Sequence, residues 1–166
     1  LDVSVRPTAS ETIGDEIDEN CDGVEFCFVD TDGDGYRPTG NTITISSDAD
    51  CRDFGEARRV TPSGDCNDSN AAVKPSATEL PADGVDQDCN GQELCYVDAD
   101  NDGYRPPAMT LVVSFNLSCV DVGETTSLAP ATDCNDTNQV INPGISESCD
   151  GIDQNCNGQI DEGVCI

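Results

Sequence analysis

Two seven-residue stretches, DTDGDGY at 30–36 and DADNDGY at 98–104, place carboxylates on alternate residues and then a glycine. The first offers Asp30, Asp32 and Asp34 before Gly35; the second offers Asp98, Asp100 and Asp102 before Gly103. Oxygen ligands at positions one, three and five, a turn glycine at six and a backbone carbonyl at seven open a calcium loop. Position seven is Tyr36 in one stretch and Tyr104 in the other. Without a cation, carboxylates this close repel by roughly 1–4 kcal/mol per pair. A merely solvated acidic turn requires neither this spacing nor its repetition. Neither stretch has a glutamate at position twelve, so further ligands must come from elsewhere. The segments GDCND (64–68) and TDCND (132–136) are the natural supplement, through Asp65 and Asp68 or Asp133 and Asp136.

A second type of oxygen-rich loop lies in DQNCNGQIDE near the end of the sequence. It offers Asp153, Asn155, Asn157, Gly158, the carbonyl of Gln159, and Asp161 at position nine. Position twelve is Val164, so the bidentate glutamate of an EF-hand is missing here too. Matching positions are Asp18, Asn20 and Asp22 in one earlier stretch and Asp86, Asp88 and Asn90 in another. Hard oxygen donors of this kind suit several Ca2+ ions, whereas copper and zinc favour Cys, Met or His. The chain has no His and a single Met.

These loops belong to a frame that repeats every 68 residues. Cys21, Cys27, Cys51 and Cys66 recur as Cys89, Cys95, Cys119 and Cys134, and the two DCND segments recur in step. Three copies of one segment follow the same register: VRPTASETIGDEIDENCDG (5–23), VKPSATELPADGVDQDCNG (73–91) and INPGISESCDGIDQNCNG (141–158). A fixed period of this length means one small unit reused. The frame divides into a partial repeat at 1–23 with an N-terminal strand, a module at 24–91 and a module at 92–166.

The elements that must hold the loops are short. FCFVD (26–30) and LCYVD (94–98) read as strands leading into the Asp-rich loops, and NTITIS (41–46) and TLVVSF (110–115) as second strands. No stretch has a convincing helical period. The expected fold is all-β to irregular: tandem small repeats with short strands, many turns and little helix, stapled by disulfides and calcium. Aromatics make up 4% of the 166 residues and Trp is absent, so a large apolar core is not available. Units of about 70 residues usually need staples. Eleven cysteines supply them. Equal spacing suggests Cys27 with Cys51, Cys95 with Cys119, Cys66 with Cys89 and Cys134 with Cys156. Cys149 and Cys165 then pair, leaving Cys21. Connectivity is not deducible from sequence alone, so these pairs are a hypothesis.

The register places the mate of Cys21 in a DCND segment just ahead of residue 1. In its place stands LDVSV, with Leu1, Val3 and Val5 on one face of a possible strand. One reading is an edge strand of this molecule. The other is a strand that, with Cys21, meets a neighbouring copy and builds a head-to-tail homopolymer. The chain opens without a leader segment, so secretion implies a mature or excised form.

The cysteine density points to an oxidising compartment, hence an extracellular or cell-surface location. No apolar run is long enough to insert into a membrane. With 34 acidic residues against 7 basic, the formal charge is −27. Nucleic acid is excluded as a partner on that ground. No triad, phosphate loop or metal–water motif marks an enzyme.

The succession DADNDGYRP, TDCND, NPGISESCDGIDQNCNGQIDE resembles the MopE-like metal-binding repeat of secreted and surface bacterial proteins. The resemblance implies calcium-stabilised, disulfide-rich extracellular modules and no single activity. Only Cys149 preserves the cysteine that the repeat carries shortly before its NCDG-type segment. The expected function is therefore a structural extracellular module of a surface protein or of a self-assembling filament. The alternative is a secreted metal scavenger.

Overall fold

The computed structural model describes residues 4–165, and Leu1 and Val3 of the expected N-terminal strand lie outside them. The chain forms two compact units: residues 1–78 with 87–90, and residues 79–86 with 91–166.

In the first unit the strands are β1 (Glu25–Asp30), β2 (Arg37–Pro38), β3 (Ile43–Ser46), β4 (Gly55–Ala57) and β5 (Ser63–Asp65). β1 is the central strand of an antiparallel sheet in the order β3-β1-β4. Its alternation follows the pleat: Glu25 and Cys27 are buried while Phe26 between them faces out. Asp30, the last residue of β1, pairs with Gly55 and is 5% exposed. The sheet thus ends on the first residue of the Asp-rich loop. β2, just after that loop, pairs in parallel with β5, which ends at Asp65. The two short strands bring the DCND segment back beside the loop.

The second unit repeats the plan with β6 (Glu93–Asp98), β7 (Leu111–Ser114) and β8 (Gly123–Thr125) in the order β7-β6-β8. Its register equals that of the first unit shifted by 68: Glu93 faces Ser114 and Asp98 faces Gly123, as Glu25 faces Ser46 and Asp30 faces Gly55. In the second unit the Arg105 amide donates to the Pro130 carbonyl and the Asp133 amide donates to the Arg105 carbonyl, the counterpart of the β2–β5 contact. No helix occurs among the described residues, and none is long and apolar enough to cross a membrane.

Covalent bonds stand where a core would be. Among the described residues the buried apolar ones are Cys27, Cys51, Cys95 and Cys119, joined only by Ala57, Val73 and Ile141. Five disulfides staple the units: Cys27–Cys51, Cys66–Cys89, Cys95–Cys119, Cys134–Cys156 and Cys149–Cys165. They close loops of 16 to 24 residues, each contributing about 3 kcal/mol in the chain-entropy model. Cys21 is an exposed free thiol.

Candidate metal centres

Both loop types share one hydrogen-bond scheme. The carboxylate at position one accepts from the amides at positions five and six, and the side chain at position five accepts from the amide at seven. In the first unit Asp30 accepts from Asp34 (3.2 Å) and Gly35 (3.1 Å), and Asp34 accepts from Tyr36 (2.8 Å). In the second, Asp98 accepts from Asp102 and Gly103, and Asp102 from Tyr104. Asp18 repeats this with Asp22 and Gly23, and Asp22 accepts from Val24. Asp153 repeats it with Asn157 and Gly158, and Asn157 accepts from Gln159. The two loop types expected from the sequence are therefore one backbone structure.

That structure needs left-handed backbone at positions four and six. Position six is always glycine, with φ of 87° at Gly35 and 89° at Gly103; its Cβ position is open space at both, so conformation and not crowding demands it. Position four tolerates a side chain: Asn101 has φ 61°, and Cys21, Cys89 and Cys156 have 60°, 58° and 57°. The cysteine of each second-type loop sits at this strained position.

Oxygens from Asp30, Asp32 and Asp34 lie within 4.8 Å of one another, as do oxygens from Asp98, Asp100 and Asp102. Calcium–oxygen distances of about 2.3–2.6 Å allow ligands across one ion to stand up to about 5 Å apart. The DCND segments close both sites. Thr31 donates its amide and hydroxyl to the two oxygens of Asp68 (2.9 and 2.6 Å), and Ala99 donates its amide to Asp136 (2.9 Å). Asp65 is 2% exposed and Asp133 1% exposed, and each keeps one oxygen, Oδ2, without any hydrogen-bond partner. Asp32 Oδ2, Asp34 Oδ2, Asp102 Oδ2 and both oxygens of Asp100 are likewise buried without a hydrogen bond. Buried carboxylate oxygens are costly unless paired or bound to a metal. The residues present fit an oxygen-liganded cation.

The electrostatics agree. Burial holds the carboxyls of Asp32, Asp65, Asp100, Asp133 and Asp136 above the ordinary Asp range, and repulsion from neighbouring aspartates adds to it. For Asp65 the neighbours are Asp34, Asp32 and Asp68; for Asp133 they are Asp102, Asp136 and Asp98.

The second loop type departs from expectation at one ligand. Asp161 is engaged elsewhere: its oxygens accept from the amides of Asp150 and Gly151. This corrects its assignment to position nine of a metal loop. The neighbouring Glu162 reaches the loop, accepting from the side-chain amides of Asn155 (2.7 Å) and Asn157. Those bonds hold its carboxyl below the usual Glu range, and its Oε2 is buried without a hydrogen bond. Glu147 accepts from the amides of Asn155 and Asp161, and with Glu162, Asn155 and Asn157 it lines one cleft.

In the first copy Glu11 accepts from Asn20, and Glu11 Oε2 and Asn20 Oδ1 are both buried without a hydrogen bond. Of the middle copy, Asp86 lies in the second unit and accepts from Gly91, while Asp88 and Asn90 lie in the first, where Asp88 accepts from both amides of Asn90. Glu11, Glu79 and Glu147 stand 68 residues apart. Carrying the period onto glutamates as well as aspartates would have found them.

A disulfide-stapled frame presenting repeated oxygen-lined loops defines a small metal-binding repeat module. The family model that matches is Cu-binding_MopE, described as "Putative metal-binding motif"; it covers residues 1–25, 65–93 and 133–162, just over half of the chain. The chain belongs to this family. No curated protein and no solved structure matches it. The three matched segments contain the second-type loops and the DCND segments, and leave out the loops at 30–36 and 98–104.

Proposed function

We propose that the chain is a calcium-stabilised, disulfide-rich structural module of an extracellular or surface protein. The observation that carries this reading is the set of buried, unpartnered carboxylate oxygens where each Asp-rich loop meets its DCND segment. Calcium is the cation of choice because every donor there is a hard oxygen. The family model carries copper in its name. Copper scavenging would need softer donors, yet the chain has no His, and ten cysteines are held in disulfides. No catalytic step belongs to this reading. Calorimetric titration is expected to show calcium binding in the range of about 10⁻⁴–10⁻³ M, as for extracellular modules. Copper bound far more tightly than calcium would replace this reading with metal capture.

The same reading extends to head-to-tail self-association. Cys21 holds the left-handed backbone that Cys89 and Cys156 hold, and both of those are bonded to a DCND cysteine. Cys21 is exposed, as is Val5 beside the N-terminal segment. Sedimentation in millimolar calcium is expected to show multimers held without new disulfides, since one free thiol per chain can covalently join no more than two copies. A monomer retaining one free thiol would count against assembly.

A further inference from the structure

The two Asp-rich sites are built on the same backbone, but their surroundings differ in charge. The chain has one lysine, Lys74, and its ammonium stands at the first site. It donates to the Asp34 carbonyl (3.3 Å) and lies 3.8 Å from Asp34 Oδ2, an oxygen whose side chain is fully buried. The residue 68 positions later is Asn142, which is neutral and 4% exposed. Both ends of its amide serve the local turn: it donates to the Gln139 carbonyl (3.0 Å) and accepts from Gly144 (2.8 Å). At the second site no lysine is present; the Asp100 carbonyl, the counterpart of the Asp32 carbonyl, accepts from the uncharged Gln139 side chain.

The DCND segment differs in the same direction. Thr31 occupies both oxygens of Asp68, the second through its hydroxyl. Ala99, its counterpart, has no hydroxyl and bonds Asp136 through its amide. At the second site the buried oxygens without a side-chain partner come from Asp100, Asp102 and Asp133. At the first they come from Asp32, Asp34 and Asp65, and one of those faces Lys74. In each site a carboxylate at least nine-tenths buried, Asp65 or Asp133, contributes an unpartnered oxygen.

We propose that Lys74 is a tethered counter-charge that makes the first Asp-rich site the weaker of an unequal pair, so that calcium fills the Asp98–Asp133 site before the Asp30–Asp65 site. A divalent ion entering the first site meets the ammonium at short range and must displace it or bind against it. Lys74 keeps over a quarter of its side chain in solvent, which screens the repulsion and gives the ammonium room to swing away. The expected penalty is about tenfold in affinity, a modest share of an unscreened charge–charge term at this distance. The proposal rests on the calcium reading above and ranks the two sites within it.

Gly35 and Gly103 report the sites separately, because each amide bonds the position-one carboxylate of its own loop. In a calcium titration followed by two-dimensional 1H–15N NMR, the Gly103 signal is expected to reach its midpoint at about tenfold lower calcium than the Gly35 signal. Lys74→Gln, which removes the charge at similar length, is expected to bring the Gly35 midpoint to within about twofold of Gly103. Lys74→Arg keeps the charge and is expected to leave the gap. Equal midpoints in the unmodified chain, or a Gly35 midpoint unmoved by Lys74→Gln, would overturn the ranking and leave calcium binding intact. Glycine signals indifferent to millimolar calcium would overturn the calcium reading itself.

Discussion

If calcium fills the Asp-rich sites as proposed, withdrawing it with EGTA is expected to lower the melting temperature of each unit by about 6–22 °C and to open the Asp-rich loops to protease, while all five disulfides remain formed. The magnitude follows from linkage. An extracellular-type site with a Kd of about 10⁻⁴–10⁻³ M, held in about 10 mM calcium, stabilises its unit by about 1.4–2.7 kcal/mol. One kcal/mol moves the melting temperature of a domain of this size by about 4–8 °C. The loss is large because little else resists it: beyond cysteine, the buried apolar set is Ala57, Val73 and Ile141. Ion removal also returns the mutual repulsion of Asp30, Asp32 and Asp34, and of Asp98, Asp100 and Asp102. Differential scanning calorimetry and limited proteolysis with and without EGTA measure both effects. Identical melting and digestion in the two buffers would show that the disulfides alone hold the fold.

Acidification is expected to act in opposite directions on the two forms. In the metal-free chain, burial and mutual repulsion raise the carboxyls of Asp32, Asp65, Asp100, Asp133 and Asp136 above their unfolded value near about 4. The buried Glu25 is raised by desolvation as well. Above pH 4 the folded chain therefore binds more protons than the unfolded chain, and its stability falls as pH rises. Bringing the chelated protein from pH 7 toward pH 4 should raise its melting temperature. Glu16, beside Arg52, and Glu162 shift the other way, but both are solvent-screened and weigh little. In calcium the sign reverses, because the ion requires ionised ligands and protons expel it. The calcium form should lose stability over the same interval. Melting curves at several pH values in each buffer decide the matter; slopes of one sign in both would remove the buried carboxylates from the account.

Sequence and structure agree most closely where covalent and backbone constraints act locally. The 68-residue spacing of cysteines gives the same pairs that the structure contains, because equal loops closed on equal frames leave each thiol near one mate. FCFVD and LCYVD are legible as strands because apolar residues alternate up to an aspartate that ends them. β4, β5 and β8 were not: GEA, SGD and GET carry little strand propensity and are held by pairing to β1, β2 and β6.

Among candidate ligands, the residues at positions one and five were legible because their spacing is local. Glu162 was not, since it stands at no ligand position of the motif, and Glu11 is marked only by the 68-residue period it shares with Glu79 and Glu147. Asp161 matched a motif position but turned to the Asp150–Gly151 amides, whose demand for an acceptor is met first. Lys74 carried no signal as a sequence feature; it matters because the fold aims one ammonium at one carboxylate.

The near-absence of an apolar interior also bears on how such a chain can change over time. In most small domains the positions least free to vary are the large hydrophobic ones, because their shapes must interlock. Here Ile45, Phe54, Phe115, Val122 and Leu128 lie on the surface, and the most deeply buried large side chains are Cys, Asp, Glu and Ser. The heritable constraint falls on thiols, on carboxylates and on the glycines with left-handed backbone. Hydrophobic positions are left open to drift, so lineages of this repeat can diversify their outer faces while keeping one polar alphabet inside.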